Sequence, residues 1–211
     1  MISSHTPLTR SSSPTTHPTH TLSLSCARSQ MVKVYICKLS AQEIATDAFE
    51  MHEESMAEYD GGAVISLKAT EVWYNTDEMN CISNDAYADL DDKSVCEKVL
   101  DIAQQYQLEE TPLIKSKNSF VKIMKLYLKK VLATLETKPE KKKFRSAAQK
   151  FIMKIAGPDT GKLKDSNYSF YVKEGEAAWA TGEAPLVVCE WVGGMFPVFH
   201  FFEAGVRIQK Y

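Results

Sequence analysis

Residues 32–40, VKVYICKLS, alternate Val32, Val34 and Ile36 with Lys33, Tyr35 and Cys37, the period-two pattern of a strand. Residues 63–75 follow the turn signal Asp60-Gly61-Gly62 and are rich in β-branched and aromatic side chains, which predicts another strand. Residues 76–92 then hold Asp77, Glu78, Asp85, Asp89, Asp91 and Asp92 with no basic residue, and so little apolar surface predicts a mobile acidic loop. Residues 98–110 fit two patterns. Leu100, Ile102, Tyr106 and Leu108 share a face at period two, whereas Val99, Ile102 and Ala103 suit a helix; the strand is preferred.

Between residues 116 and 156 the period changes. Phe120, Met124, Tyr127, Val131 and Leu135 recur at steps of three and four, one apolar stripe of a helix, with Lys122, Lys125, Lys129 and Lys130 mostly off it. Thr137 and Glu140 form a capping-box pattern, and Pro139 falls in a first turn where its missing N–H costs little. Phe144, Ala148, Phe151, Ile152 and Ile155 make a second stripe, stopped by Gly157-Pro158. An antiparallel helical hairpin follows, apolar inside and lysine-rich outside. Beyond it NYSFYV, APLVVCEW and FPVFHFF read as strands, with turns at Gly193-Gly194 and 203–205, and the closing VRIQKY is expected along a sheet edge.

Charge sharpens this picture. The 211-residue chain has a formal net charge of −2, yet residues 115–154 hold 13 Lys and Arg against Glu136 and Glu140, leaving 12 basic and 25 acidic residues elsewhere. Such a bipolar molecule attracts acidic partners to one segment. The first 30 residues carry 14 Ser or Thr, three Pro, two Arg and no acid. They read as a disordered extension or as translated sequence ahead of a start at Met31, in preference to a transit peptide. No run approaches the ~20 apolar residues of a membrane span. Five scattered cysteines without a CxxC pair predict no zinc site, no disulfide framework and a reducing, cytoplasmic setting.

Longer motifs carry a resemblance. Cys189-Glu190-Trp191, Pro197-Val198-Phe199-His200-Phe201-Phe202, Gly205 and Lys210-Tyr211 resemble the close of the translationally controlled tumour protein family, also called fortilin or histamine-releasing factor. Residues 95–113, the basic segment 120–155, the start at Met31 and EIATDAFEM (43–51) are similar to further family segments, so the resemblance covers about residues 31–211. Two stretches depart from the family pattern. The loop signature becomes Ile82 to Asp89, with Asp85, Tyr87 and Asp89 replacing Asn, Ser and Glu, and a second signature becomes Phe170 to Glu176 with two extra residues. The chain resembles a divergent member.

The resemblance implies an α+β fold: a twisted, Mss4-like β-tent with a projecting antiparallel helical hairpin (about 116–156) and a flexible acidic loop (76–92). It implies a non-enzymatic, cytoplasmic protein of growth and survival signalling that regulates a Ras-like small GTPase, binds Ca²⁺ weakly and associates with microtubules, as a monomer or weak dimer. Glu43, just before Thr46-Asp47-Ala48-Phe49, matches the acidic residue implicated in the GTPase contact; an ordinary exposed loop glutamate is an equal reading. Asp85, Asp89, Asp91 and Asp92 are the Ca²⁺ candidates, although no D-x-D-x-D-G series exists. Lys122, Lys125, Lys129, Lys130, Lys141, Lys142, Lys143 and Arg145 are the candidates for tubulin or other acidic surfaces. With no aromatic interleaved among the outer lysines to stack bases, sequence-specific nucleic-acid reading is not expected.

Two other classes stand beside this one. A polyelectrolyte adaptor or chaperone would use the hairpin with no GTPase role. An oxidoreductase of the methionine-sulfoxide-reductase type would need a poised thiol, whereas Cys189 sits in an apolar strand as a small hydrophobe. GPDTGKL (157–163) falls one residue short of a phosphate loop and lacks its Ser or Thr, so a turn explains it better. His200, inside an aromatic strand, reads as a neighbour of the core.

Overall fold

The computed structural model describes residues 32–58, 63–157, 167–173 and 177–211, within a compact unit spanning Met31–Tyr211. The N-terminal extension with Cys26, the turn at 60–62, residues 158–163 of the phosphate-loop-like stretch and residues 174–176 lie outside the described residues.

Strand β1 (Lys33–Cys37) pairs antiparallel with β2 (Glu43–Thr46) on one side and with β11 (Val206–Lys210) on the other. The closing segment is therefore the edge of a three-stranded sheet, as its position in the sequence suggested. A short helix, α1 (Glu53–Glu58), precedes β3 (Val64–Lys68) and β4 (Glu71–Asn75). These two strands, expected as one, belong to different sheets. The chain bends between them because the Ala69 amide donates to the Pro197 carbonyl at 2.9 Å and the Thr70 amide to Asp101 Oδ1 at 3.0 Å.

The acidic stretch contains more order than its composition predicts: strand β5 (Asn80–Ile82) and helix α2 (Asn84–Ala88). Ser83 caps that helix through its hydroxyl, which accepts from the Ala86 amide at 3.1 Å. Tyr87 stacks on Trp73 with ring centres 3.6 Å apart and planes 5° from parallel. That contact depends on a strand preceding the loop, so no window on the loop alone reveals it. Residues 98–110 resolve both patterns: β6 (Cys96–Leu100), α3 (Asp101–Gln105) and β7 (Leu108–Glu110). Asp101 makes the switch, its carboxylate accepting from the Thr70 and Ile102 amides, and Gln107 at φ 51° turns the chain into β7.

Helices α4 (Lys117–Thr134) and α5 (Lys138–Ala156) form the hairpin, followed by β8 (Tyr168–Lys173), β9 (Val187–Val192) and β10 (Phe196–Phe202). Five strands associate in the order β3-β10-β9-β8-β7, and β5-β4-β6 makes a third sheet. The five-stranded sheet is covered on both faces, which is why β10 reads FPVFHFF with almost no exposed position. On one face Val64, Phe170, Val188 and Phe202 meet Phe120, Met124, Tyr127, Phe144 and Phe151 of the hairpin. On the other, Ile65, Leu67, Cys189, Phe199 and Phe201 meet Tyr35 and Ile44 of the small sheet, with Leu100, Ile102 and Tyr106. The hairpin thus lays its apolar stripe on the sheet and projects its lysines to solvent. Two glycines permit this packing. A side chain at Gly182 would meet the Tyr127 amide at 2.6 Å, and one at Gly205 would meet the Tyr127 hydroxyl at 2.1 Å.

Candidate functional site

The hairpin is fixed at both ends by its own sequence. Ser116 and Ser119 form a reciprocal cap on α4. Thr137 and Glu140 do the same for α5, with Pro139 in its first turn. Inward side chains then bury, and the cations must point out. Lys122, Lys125, Lys129, Lys142, Lys143 and Arg145 are all exposed, and among the described residues none is held in an ion pair or hydrogen bond. Lys130 is different: its ammonium donates to Glu183 Oε1 at 3.0 Å, a surface pair worth little in stability. Lys141 is half-buried.

Between the two helices a groove of about 250 Å³ opens to solvent. Its floor is Leu128, Leu132, Phe144, Ala148 and Ile152, and Lys125 and Arg145 stand at its sides with Gln149 and Met153. Cations from both helices therefore border one apolar slot, which neither stripe taken alone implies.

Beneath the hairpin lies a polar cluster that sequence reading did not assemble. Register places Ser66 of β3 directly across from His200 of β10, while Val198 pairs with Glu190, so all three point to the helix-covered face. Ser66 Oγ lies 2.9 Å from His200 Nδ1, and His200 Nε2 lies 3.3 Å from Glu190 Oε2. Lys154 of α5 reaches down to Glu190 Oε2 at 3.1 Å, and the Tyr168 hydroxyl donates to Oε1 at 3.4 Å. Burial alone would raise the Glu190 carboxyl, but hydrogen bonds from His200 and Lys154 and the Lys154 charge hold it at about 2. Burial lowers His200, with the Lys154 charge adding to it and Glu190 opposing, so the ring is neutral near pH 7. The neutral ring turns Nε2 towards the carboxylate at 3.3 Å and Nδ1 towards the Ser66 hydroxyl at 2.9 Å.

A serine, a histidine and a carboxylate in sequence have the order of a nucleophilic relay. Here Ser66 is fully buried, His200 is 1 % exposed, and Phe151 of α5 sits edge-on over the imidazole at 5.8 Å. The relay is closed to any substrate and acts as a pin, tying α5 to the sheet through Lys154. A signal for it was present: Glu190 and His200 each interrupt an apolar strand, and a buried polar side chain needs a partner.

Other candidate residues fall elsewhere. Glu43 is exposed at the first position of β2, a strand residue where the sequence suggested a loop, and its carboxylate makes no hydrogen bond or ion pair among the described residues. The neighbouring Asp47 is occupied, accepting from the Lys33 amide at 2.7 Å. Asp85, Asp89, Asp91 and Asp92 are not gathered into a ligand set. Asp85 lies in the first turn of α2, Asp89 ends it, and Asp92 accepts from the Ser94 amide and hydroxyl. No group of three or more acidic, His or Cys side chains poised for a metal exists among the described residues. Cys189 is buried, and its thiol is pushed up to about 12 by that burial and by the charge of Glu110. No helix among the described residues is long and apolar enough to cross a membrane.

The chain's likenesses agree with this architecture. The model of the translationally controlled tumour protein family matches residues 32–207. Among solved structures, the chain is similar to the translationally controlled tumor-associated protein p23fyp from Schizosaccharomyces pombe, 22% identical, with 85% of this chain and 99% of that one covered at a TM-score of 0.61. It is similar as well to the translationally-controlled tumor protein from Caenorhabditis elegans solved by NMR, 19% identical, with 85% and 98% covered and a TM-score of 0.59. No curated protein matches the chain in sequence. Identities this low speak to the fold, a β-tent carrying a helical hairpin. Joined to a family match over 32–207 of 211 residues, they place the chain in the translationally controlled tumour protein family.

Proposed function

We propose that the chain is a non-enzymatic cytoplasmic interaction protein whose cationic hairpin recruits acidic protein surfaces, the acidic tails of tubulin among them. One observation carries this reading: six exposed cations on α4 and α5 have no acidic partner among the described residues, while the rest of the chain is acidic. Charges left unpaired in water interact weakly one at a time, but as a cluster they produce a field that steers and holds anions. The closed Ser66–His200–Glu190 relay and the raised Cys189 thiol support a role without covalent catalysis. The test is co-sedimentation with microtubules at low and at physiological salt. Binding should drop about tenfold or more with salt, because exposed charges are screened beyond about 8–10 Å. Reversing Lys122, Lys125 and Lys129 together to Glu should abolish it. Binding by that variant equal to the parent's sinks the proposal.

A second reading concerns growth signalling through a Ras-like small GTPase. Its support is Glu43, exposed at a strand start with its carboxylate unengaged. Glu43→Lys should weaken binding in a pull-down with purified GTPase, and equal capture by both proteins removes the claim. Ca²⁺ enters only as a weak ligand of the acidic segment, whose four aspartates do not fit a cation as they stand.

A further inference from the structure

We infer that the groove between α4 and α5 is a docking slot for a helical segment that is both acidic and apolar-faced, so that the hairpin reads more than charge. The inference rests on the proposed recruitment of acidic partners and narrows which of them fit. The floor of the slot offers Leu128, Leu132, Phe144 and Ile152, and no charged group interrupts it. Met153, 59% exposed, forms part of one side, and an unbranched thioether adapts to varied neighbours. A volume of about 250 Å³ exceeds the ~150 Å³ that accommodates benzene in an engineered apolar cavity, so one or two leucine- or phenylalanine-sized groups fit.

Charge selects the occupant. Lys125 and Arg145 line opposite sides of the slot. Lys129, one turn after Lys125, and Lys141, one turn before Arg145, extend each row by about 6 Å at the helical rise of ~1.5 Å per residue. Lys125, Lys129 and Arg145 are unpaired among the described residues, whereas Lys130 and Lys154, which leave this groove, are matched to Glu183 and Glu190. The scaffold thus neutralises Lys130 and Lys154, which lie away from the slot, and leaves Lys125, Lys129 and Arg145 beside it open. A basic or neutral amphipathic helix is repelled or unrewarded there. An acidic chain without apolar groups touches only the rims and is screened by salt. A concave slot suits a row of side chains at helical spacing, the helix-in-groove mode, better than a flat lipid surface.

The test uses the full chain and two labelled synthetic peptides of equal net negative charge, one with Leu at i, i+3, i+4 and i+7 among Glu residues, the other with Gln at those positions. Fluorescence anisotropy should show the Leu peptide binding about ten- to hundredfold tighter, the gain expected from burying one apolar anchor. It should retain part of its binding at high salt, where the Gln peptide is released. Met153→Gln, a substitution at an exposed position, should lower the Leu peptide's affinity severalfold and leave the Gln peptide unchanged. Lys125→Glu with Arg145→Glu should weaken both. Equal affinity for both peptides, with no effect of Met153→Gln, overturns the slot but leaves charge recruitment standing. Failure of both peptides to bind, with microtubule binding also absent, removes the proposed function and this inference together. Binding to phosphatidylserine vesicles but to neither peptide overturns the slot in favour of a membrane surface.

Discussion

Lys154 and Lys125 belong to the same hairpin and contribute equally to its charge, yet the fold uses them in opposite ways. Lys154 turns under α5 and meets Glu190 and the buried His200; Lys125 stands beside an open apolar groove with no counter-ion among the described residues. Both lie on amphipathic helices with similar sequences around them. The difference comes from the strand opposite: β9 presents a carboxylate to Lys154, and among the described residues no element presents one to Lys125. Clustered lysines in a sequence therefore count what a face could bind, and only packing separates those spent inside the molecule from those available outside.

The contrast breaks most severely if the hairpin leaves the sheet. Phe151 is 1% exposed and contacts both His200 and Phe202 edge-on. Phe151→Ala removes a large ring from a closed core and should cost about 3–5 kcal/mol, read as a lower urea midpoint. It should also expose the Lys154–Glu190 pair, raising hydrogen exchange at the C-terminal turns of α5.

Next in size is the pin itself. Glu190→Gln leaves Lys154 and neutral His200 without their anion and should cost about 2 kcal/mol, below the range for fully buried pairs because both partners touch some solvent. Lys154→Met in the same background should recover part of that loss, since the uncompensated charge is then gone. A double mutant as unstable as the single one would show that the pin contributes nothing as a charge pair.

Acidity sharpens the same point with two separable steps. Native His200 is lowered from its ordinary 6.5, so the unfolded chain takes up a proton that the native ring refuses. Its stabilisation is complete above about 6.5 and is lost as pH falls towards the lower native value. Glu190 at about 2 behaves likewise further down: its contribution is complete above 4.5 and lost as pH falls towards about 2. Urea midpoints measured from pH 7.5 to 4 should decline, and His200→Asn should flatten the upper part of that decline. The groups facing His200 are Glu190, Ser66, Lys154 and His52. Glu190 opposes the downward shift while Lys154 and His52 reinforce it, so the decline near pH 6 should be gradual rather than abrupt.

How much of this was legible follows the range of the interactions. Caps, stripes and the break at Thr137–Glu140 are written within a few residues, so the hairpin was readable to its ends. The division of 63–75 was not, because Asp101 and Pro197 impose it from far along the chain. Helix α3 was hidden for a related reason: Ile102 and Ala103 serve a core whose other side is β1 and β2, and either periodicity satisfies it. Tyr87 was visible as a departure from the family pattern but not as a ring seeking Trp73. At the site, the exposed cations were named from sequence. The groove between them, and the pairing that sets Lys130 and Lys154 apart, depend on residues distant in the sequence, Glu183 for Lys130 and Glu190 of β9 for Lys154.

The smallest expected effect is the most telling for the comparison. Lys125→Ala removes a charge that nothing in the described fold engages, so its stability change should stay within about ±0.5 kcal/mol. Because thirteen like charges crowd residues 115–154, the change should lean towards slight stabilisation, and more so at low salt, where self-repulsion is least screened. Thermal melts of parent and variant at low and high salt measure both the size and the salt dependence. A loss above about 1 kcal/mol would mean that Lys125 has an anchoring partner after all, and would dissolve the distinction between it and Lys154. A near-zero change in stability, alongside weaker capture of acidic partners, is the signature of a residue kept for what it meets outside the molecule.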